Sequence, residues 1–318
     1  MSFLLLNESN VRQLLTMDAA IDAVDGVLRA AALEEAQNIP RARSQTDRVM
    51  LHVMSGAAKG SNALGYKAYT TTRSGGQFHV GLFDGKTGEL AALIQADWLG
   101  QVRTGAASGV ATRALARPDS STVGLFGAGK QARTQLLAVC RVRTIRAIRV
   151  YSRHPDACRA FCEEMTPLCN CPVEPAQRPE DAARNMDIVI TATSSRDPVL
   201  LGDWLSEGTH LNIIGSNFWS KAEIDVRTVE RASLIAVDDK DQAHIEAGDF
   251  RAAIDQKILQ WADVHKLGDI LVERIPGQTS PSDITLFKSL GLAIEDVATA
   301  AHLVTIAKEK NVGRWIDW

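Results

Sequence analysis

The chain has 318 residues, 23% of them charged, and 35 Lys and Arg stand against 38 Asp and Glu for a formal net charge of −3. This length allows two domains, each with its own core. The two signs are mixed along the chain with no basic run, which excludes nucleic acid or an anionic membrane surface as the expected partner.

The opening Met1-Ser2-Phe3-Leu4-Leu5-Leu6 is apolar but brief. It lacks a basic flank and a cleavage site, so it reads as a first strand rather than a secretory signal. Val11, Leu14, Leu15, Ile21, Val24 and Leu28 have helical spacing and predict helix within 10–36. Apolar runs at 49–54, 64–72, 78–83 and 90–94 are separated by turn residues, most clearly Asp84-Gly85-Lys86-Thr87-Gly88. Successive strands of this kind predict an antiparallel sheet. A helix over 98–116 is rich in small residues from Thr104 to Gly109, which allow close packing, and Arg117-Pro118-Asp119 ends it.

From Thr122 the rhythm changes to strand and helix in alternation. Strands are expected at 122–126 and 147–151, with helices at 131–142 and 155–165. Buried strands follow at 187–192, 210–214 and 233–237. Alternation predicts a parallel sheet with helices on both faces. A long amphipathic helix over 290–310 is expected to cross back to the first domain. No apolar run is long enough to span a bilayer. Cys140, Cys158, Cys162, Cys169 and Cys171 are odd in number and unevenly spaced. They predict thiols in a reducing cytoplasm rather than disulfides or a zinc site.

Gly127-Ala128-Gly129-Lys130-Gln131-Ala132 follows an apolar strand and opens a helix, the context in which a glycine-rich loop binds a dinucleotide. Gly127 permits the tight turn, Gly129 lets backbone approach a pyrophosphate, and Ala132 takes the third glycine's place at the helix–strand contact. An NAD enzyme places Asp or Glu after the next strand to bind the ribose 2′-hydroxyl. Here that position reads Tyr151-Ser152-Arg153-His154. Ser152 and Arg153 offer hydrogen bonds and charge to a 2′-phosphate, so NADP(H) is favoured, with NAD(H) possible.

Arg103-Thr104-Gly105-Ala106-Ala107-Ser108, the dinucleotide loop, Thr285-Leu286-Phe287-Lys288-Ser289-Leu290-Gly291 and Glu295-Asp296 together resemble the ornithine cyclodeaminase/μ-crystallin family over nearly the whole chain. The resemblance implies an α/β architecture. A Rossmann-type parallel-sheet NAD(P)-binding domain over 117–291 would be inserted into an α+β substrate-binding and dimerisation domain, 1–116 completed by the C-terminal helix in 292–318. It implies a homodimer and chemistry at a carbon bearing both nitrogen and a carboxylate. It also places Arg41, or Arg43, with Lys67 and Arg103 around the substrate carboxylate. Arg103 opens the small-residue helix in this reading, where the dipole would add to its pull on an anion. Lys67 would donate or relay a proton if neighbouring arginines lower its pKa.

Two departures from the cyclodeaminase branch bear on the reaction. Asn217, in Gly215-Ser216-Asn217-Phe218-Trp219-Ser220-Lys221, stands where that branch has its catalytic aspartate. His52, before Val53-Met54, stands where it has a glutamate facing the distal amine. An amide is no general base near neutral pH, and a histidine is a poor partner for an ammonium. Both favour an NAD(P)H-dependent reductase or dehydrogenase of a small 2-imino or amino acid. The alternatives are an ornithine cyclodeaminase, a lyase using the dinucleotide catalytically, and a non-catalytic, crystallin-like NADPH binder. Met54 and His79 are further candidate pocket residues. Thr193, Ser194, Ser289 and Gly291 are candidate cofactor contacts at strand ends.

Overall fold

The computed structural model describes residues 2–60 and 62–317; Met1, which the sequence placed at the head of the first strand, lies outside the described residues, as do Ser61 and Trp318. Packing divides the chain into two compact units. One runs to Arg103 and resumes at Gly291; the other is Thr104–Leu290.

The first unit begins with β1 (Ser2–Leu6), α1 (Glu8–Leu14) and α2 (Met17–Ala32). The single helix expected within 10–36 is two helices, because two polar residues each start one. The Asn7 side chain accepts from the N–H of Asn10, and that of Thr16 from the N–H of Ala19. β2 (Ala36–Gln45), β3 (Met50–Ala58), β4 (Ala63–Thr71), β5 (Phe78–Asp84) and β6 (Leu90–Gln95) follow, then α3 (Asp97–Leu115). The stretch from Ala36 was not expected to be strand throughout. It contains Pro40, which a sheet interior would not tolerate, and β2 is an edge strand.

The second unit carries β7 (Thr122–Phe126), α4 (Lys130–Val142), β8 (Ala147–Tyr151), α5 (Pro155–Cys169), β9 (Val173–Pro175), β10 (Ile188–Thr191) and β11 (His210–Ile213). It continues with α6 (Val226–Arg231), β12 (Leu234–Val237), α7 (Lys240–Glu246), α8 (Gly248–Asp255), β13 (Val264–Lys266), α9 (Leu267–Leu271) and β14 (Thr285–Lys288). The chain closes with α10 (Ala293–Glu309) and β15 (Arg314–Asp317), both in the first unit.

The eight strands of the second unit are ordered β13-β12-β14-β11-β10-β7-β8-β9 and run parallel. This is the Rossmann-type sheet the alternation predicts. Cys158, Cys162, Cys169 and Cys171 are part of its apolar core. The sheet of the first unit has the order β15-β1-β6-β5-β4-β3-β2, antiparallel except for the β1–β6 pair. α10 packs on one face of it. A Cβ at Gly56 would lie 2.7 Å from Ile294, and one at Gly65 would lie 3.3 Å from Val297, so these glycines let the helix approach closely.

The boundary expected after residue 116 falls instead at Arg103/Thr104, inside α3. The reason is packing by the small-residue half of that helix. A Cβ at Gly105 would sit 2.4 Å from the carbonyl oxygen of Thr134. Gln135 donates to the carbonyl of Thr104, and Asn212 to the hydroxyl of Thr112. Those residues tie 104–115 to the second unit. The other boundary lies at Leu290/Gly291 rather than after 291.

Candidate active site

In the first unit, strand register gathers the polar residues. Arg43, His52, Tyr69 and Phe78 stand opposite one another across β2 to β5. Met54, Lys67 and Val80 form the next row on the same face, because side chains two apart share a face. The His52 ring stacks on Tyr69 at 4.3 Å between centroids, and Tyr69 on Phe78 at 5.1 Å. Phe78 is one of the residues the sequence reading passed over, as is Tyr69. The Lys67 ammonium lies 5.8 Å from the Tyr69 ring centre.

Lys67 is 3% exposed, a buried ammonium within a cluster of other buried charged side chains. Its Nζ donates to Asp296 Oδ1 at 2.8 Å, and Arg103 Nε donates to the same oxygen at 3.0 Å. Arg103 Nη1 donates to Glu295 Oε2 at 2.8 Å. Arg41, also buried, donates to the carbonyl of Gly291 at 3.1 Å. Gly291 has φ +75°, and a Cβ there would meet Arg103 Nη1 at 2.5 Å, so glycine is required on both counts. A Cβ at Gly100 would be 2.8 Å from Lys67 Nζ, so that glycine makes room for the ammonium against α3.

Two carboxylates thus face Lys67 and Arg103, and Arg41 is close enough to act on the Lys67 ammonium. Burial lowers Lys67 from 10.5 to about 8, with Arg103 and Arg41 adding to the shift and Asp296 opposing it. The arginines therefore contribute as expected, but desolvation is the larger cause. Burial also pulls on Arg103, yet Asp296 and Glu295 outweigh it and raise its pKa. His52 is lowered to about 4 by burial, then by Arg43 and Arg41, and is a neutral imidazole at neutral pH. Its Nε2 and the Thr71 hydroxyl are hydrogen-bonded at 3.0 Å. Arg41 acts on both Lys67 and His52, and Arg43 acts on His52.

Some expected placements change. His79 stands opposite Ala68 on β4, so alternation turns it to the face away from Lys67, and it does not join this cluster. Arg103 does not open its helix. α3 starts at Asp97, where Glu8 accepts from the N–H groups of Asp97 and Trp98, and a dipole effect fades within the first turn. Gly291 belongs with Arg41 and Arg103 in the first unit. Glu295 and Asp296 entered the sequence reading only as a signature. Their signal was weak, since an acidic pair at a helix start usually faces water, and here both are fully buried.

In the second unit the sheet order reverses at β7, whose chain successors lead to β8 on one side while β10 lies on the other. A cleft of about 460 Å³ opens there, lined by Gly127 to Gln131, Ser152, Arg153, Thr193 and Ser194. This is the crevice at strand carboxyl ends where such sheets take ligands. Gly127 has φ +108°, and a Cβ there would be 2.5 Å from the Ala192 carbonyl oxygen. Gly129 caps α4 without any side-chain hydrogen bond, and a Cβ there would meet nothing within 4 Å. α4 begins in this cleft, and a helix N-terminus is a setting that takes phosphate groups. Ala132 is buried in the core behind the loop. Ser289 is also buried and donates to Asp238. Asn217 is half-buried in the loop after β11.

Residues 2–311 match the ornithine cyclodeaminase/mu-crystallin family. The chain belongs to that family. Within it, the chain is 33% identical to alanine dehydrogenase of Archaeoglobus fulgidus, over 100% of this chain and 99% of that one. It is 30% identical to Delta(1)-pyrroline-2-carboxylate reductase of Bacillus cereus, over 99% and 100%. Among solved structures it is similar to the Thermococcus litoralis Delta(1)-pyrroline-2-carboxylate reductase in complex with NADH and L-proline. The TM-score is 0.94 and the identity 34%, over 98% of this chain and 99% of that one.

Proposed function

We propose that the protein is an NAD(P)H-dependent oxidoreductase that reduces the C=N bond of a small 2-imino acid, cyclic or linear, or oxidises the corresponding amino acid. The observation that carries this is the buried Lys67 ammonium, which shares the Asp296 carboxylate with Arg103 and has the buried Arg41 near it. Arg41, Lys67 and Arg103 suit a substrate carboxylate, with Arg43 flanking it. Lys67, still mostly protonated at neutral pH, is the general acid that delivers a proton to the imine nitrogen. A nicotinamide dinucleotide bound by the Gly127–Gln131 loop, Ser152, Arg153, Thr193 and Ser194 supplies the hydride. His52, neutral and stacked on Tyr69, shapes the substrate pocket with Met54, and Asn217 orients groups without acting as a base.

The lyase alternative fares worse. Ornithine carries a distal ammonium, and the neutral His52 offers it no negative charge. The relatives named above are reductases or dehydrogenases of imino and amino acids, which supports the same reading. Ser152 and Arg153 in the cleft favour NADP(H), whereas the Thermococcus relative holds NADH. We also infer a homodimer. Ile39, Leu51, Val53 and Leu64 are exposed on strands of one sheet, an apolar patch suited to a second copy. Free thiols suit the cytoplasm. Among the described residues, no helix is long and apolar enough to cross a membrane.

The test is to mix the protein with NADPH or NADH and pyrroline-2-carboxylate, or with pyruvate and an amine. Loss of the reduced-nicotinamide absorbance is expected. Release of ammonia and proline from ornithine, with no net cofactor change, would instead establish the lyase.

A further inference from the structure

We propose that Glu223, supported by Asp249 and Lys288, is a positioning residue for dinucleotide binding, holding the loops that leave β10 and β11 on one buried carboxylate. This rests on the dinucleotide reading of the cleft and adds residues outside it.

Glu223 is fully buried, and both its oxygens are saturated. Oε1 accepts from the N–H and the hydroxyl of Thr193, each at 2.7 Å. Oε2 accepts from the N–H of Gly215 at 2.6 Å and the hydroxyl of Thr191 at 2.8 Å. Four bonds fill the acceptor capacity of a carboxylate. Two of the donors are backbone N–H groups from different loops. One is the loop of Thr193, which lines the cleft; the other is Gly215-Ser216-Asn217. These loops leave adjacent parallel strands at their carboxyl ends. Gly215 has no room for a Cβ, which would meet Glu223 Oε1 at 2.4 Å.

The second loop is held a second time. Lys288 Nζ donates to the carbonyl of Ser216 at 2.6 Å and pairs with Asp249 Oδ2 at 2.8 Å. Asp249 Oδ1 in turn accepts from the backbone N–H of Glu223 at 2.6 Å. Two carboxylates and one ammonium are thus buried together. Such groups are a costly way to stabilise a core, since desolvation offsets much of their attraction. Geometry gives them another use. A carboxylate is the side chain that can accept from two backbone N–H groups and two hydroxyls at once, and so hold two connections at a fixed spacing.

The experiment is Glu223→Gln with NADH titrated by fluorescence. The amide turns one acceptor into a donor, so an N–H of Thr193 or Gly215 must lose its partner. We expect native circular dichroism, NADH affinity at least tenfold weaker, and an imino-acid KM within twofold at saturating NADH. NADH affinity within twofold of the parent, or cofactor and imino-acid KM rising together, overturns the proposal. If the variant does not fold, Thr191→Val removes one of the four bonds from inside β10. A two- to fivefold weaker NADH affinity then supports the proposal, and no change overturns it. Parent protein that binds neither NADH nor NADPH overturns the dinucleotide reading itself.

Discussion

The cluster around Lys67 and the cleft around Gly127 are built in opposite ways. The cleft is mostly backbone. One contiguous loop, a helix start and the first residues after two further strands form it, and its decisive property is the absence of side chains at Gly127 and Gly129. The cluster is mostly side chains. Arg41, His52, Lys67, Arg103 and Asp296 come from five elements, and charge pairs more than 190 residues apart in sequence hold them, as 192 and 193 for Arg103 with Glu295 and Asp296. Under the proposed function, a ligand common to many enzymes would be met by backbone geometry that any sequence with the right glycines can supply, and a particular substrate by charges whose values depend on one another.

If that contrast is right, damage to the two regions should separate cleanly. The largest effect is expected from Lys67→Met. It should cut turnover by about 10²- to 10⁴-fold, the usual worth of a positioned general acid, while NADH affinity stays within twofold. Full retained activity would remove Lys67 from the mechanism. Gly127→Ala should do the reverse. The new Cβ meets the Ala192 carbonyl and the backbone sits at φ +108°, a conformation costing roughly 1–3 kcal/mol for a side chain. Where the loop relaxes in the free protein and must regain that conformation on binding, this corresponds to about 5- to 150-fold weaker NADH binding. The pKa of Lys67, read from its pH profile, should not move.

The same contrast decides what the sequence could reveal. The dinucleotide loop was legible because turn, strand and helix start are all encoded within a few residues. The parallel sheet was legible from alternation. The boundary inside α3 was not, since the small residues from Thr104 to Gly109 announce close packing without saying against what. The start of α3 was legible to within one residue, although Glu8, which caps it, lies 89 residues away from Asp97. His79 looked like a pocket residue until register with Ala68 fixed its face. Lys67 and Arg103 came forward by resemblance, but Asp296, which joins them, looks like an ordinary acidic residue at a helix start. Its burial is a property of the packed α10 and of no local pattern.

A smaller effect should come from Arg153→Ala, which tests how far the cleft reads more than a dinucleotide. Arg153 lines the cleft and is exposed. Loss of its guanidinium should weaken NADPH by about tenfold, the worth of one charge-assisted contact, and leave NADH within twofold. Equal parent affinities for NADPH and NADH, unaltered by the substitution, would show that Ser152 and Arg153 do not select the 2′-phosphate.

The finest test of the comparison lies in Asp296→Asn, because it alters the charge balance without touching the loop. Lys67 is held at about 8 by burial against the pull of Asp296. Its proton is present below that pH and absent above it, so imine reduction should lose an essential proton donor through an alkaline limb near pH 8. The reverse oxidation, which needs an acceptor for that proton, should rise over the same range. Removing the carboxylate charge takes away the main influence that keeps Lys67 protonated. The limb should therefore move to lower pH, by about one unit or more for loss of a neighbouring opposite charge. The amide oxygen can still accept from Lys67, so position is largely kept and electrostatics is what changes. A limb that stays near pH 8 would mean that another group titrates there. A limb that moves while NADH affinity stays constant would show that the cluster sets its own protonation independently of the backbone-built cleft.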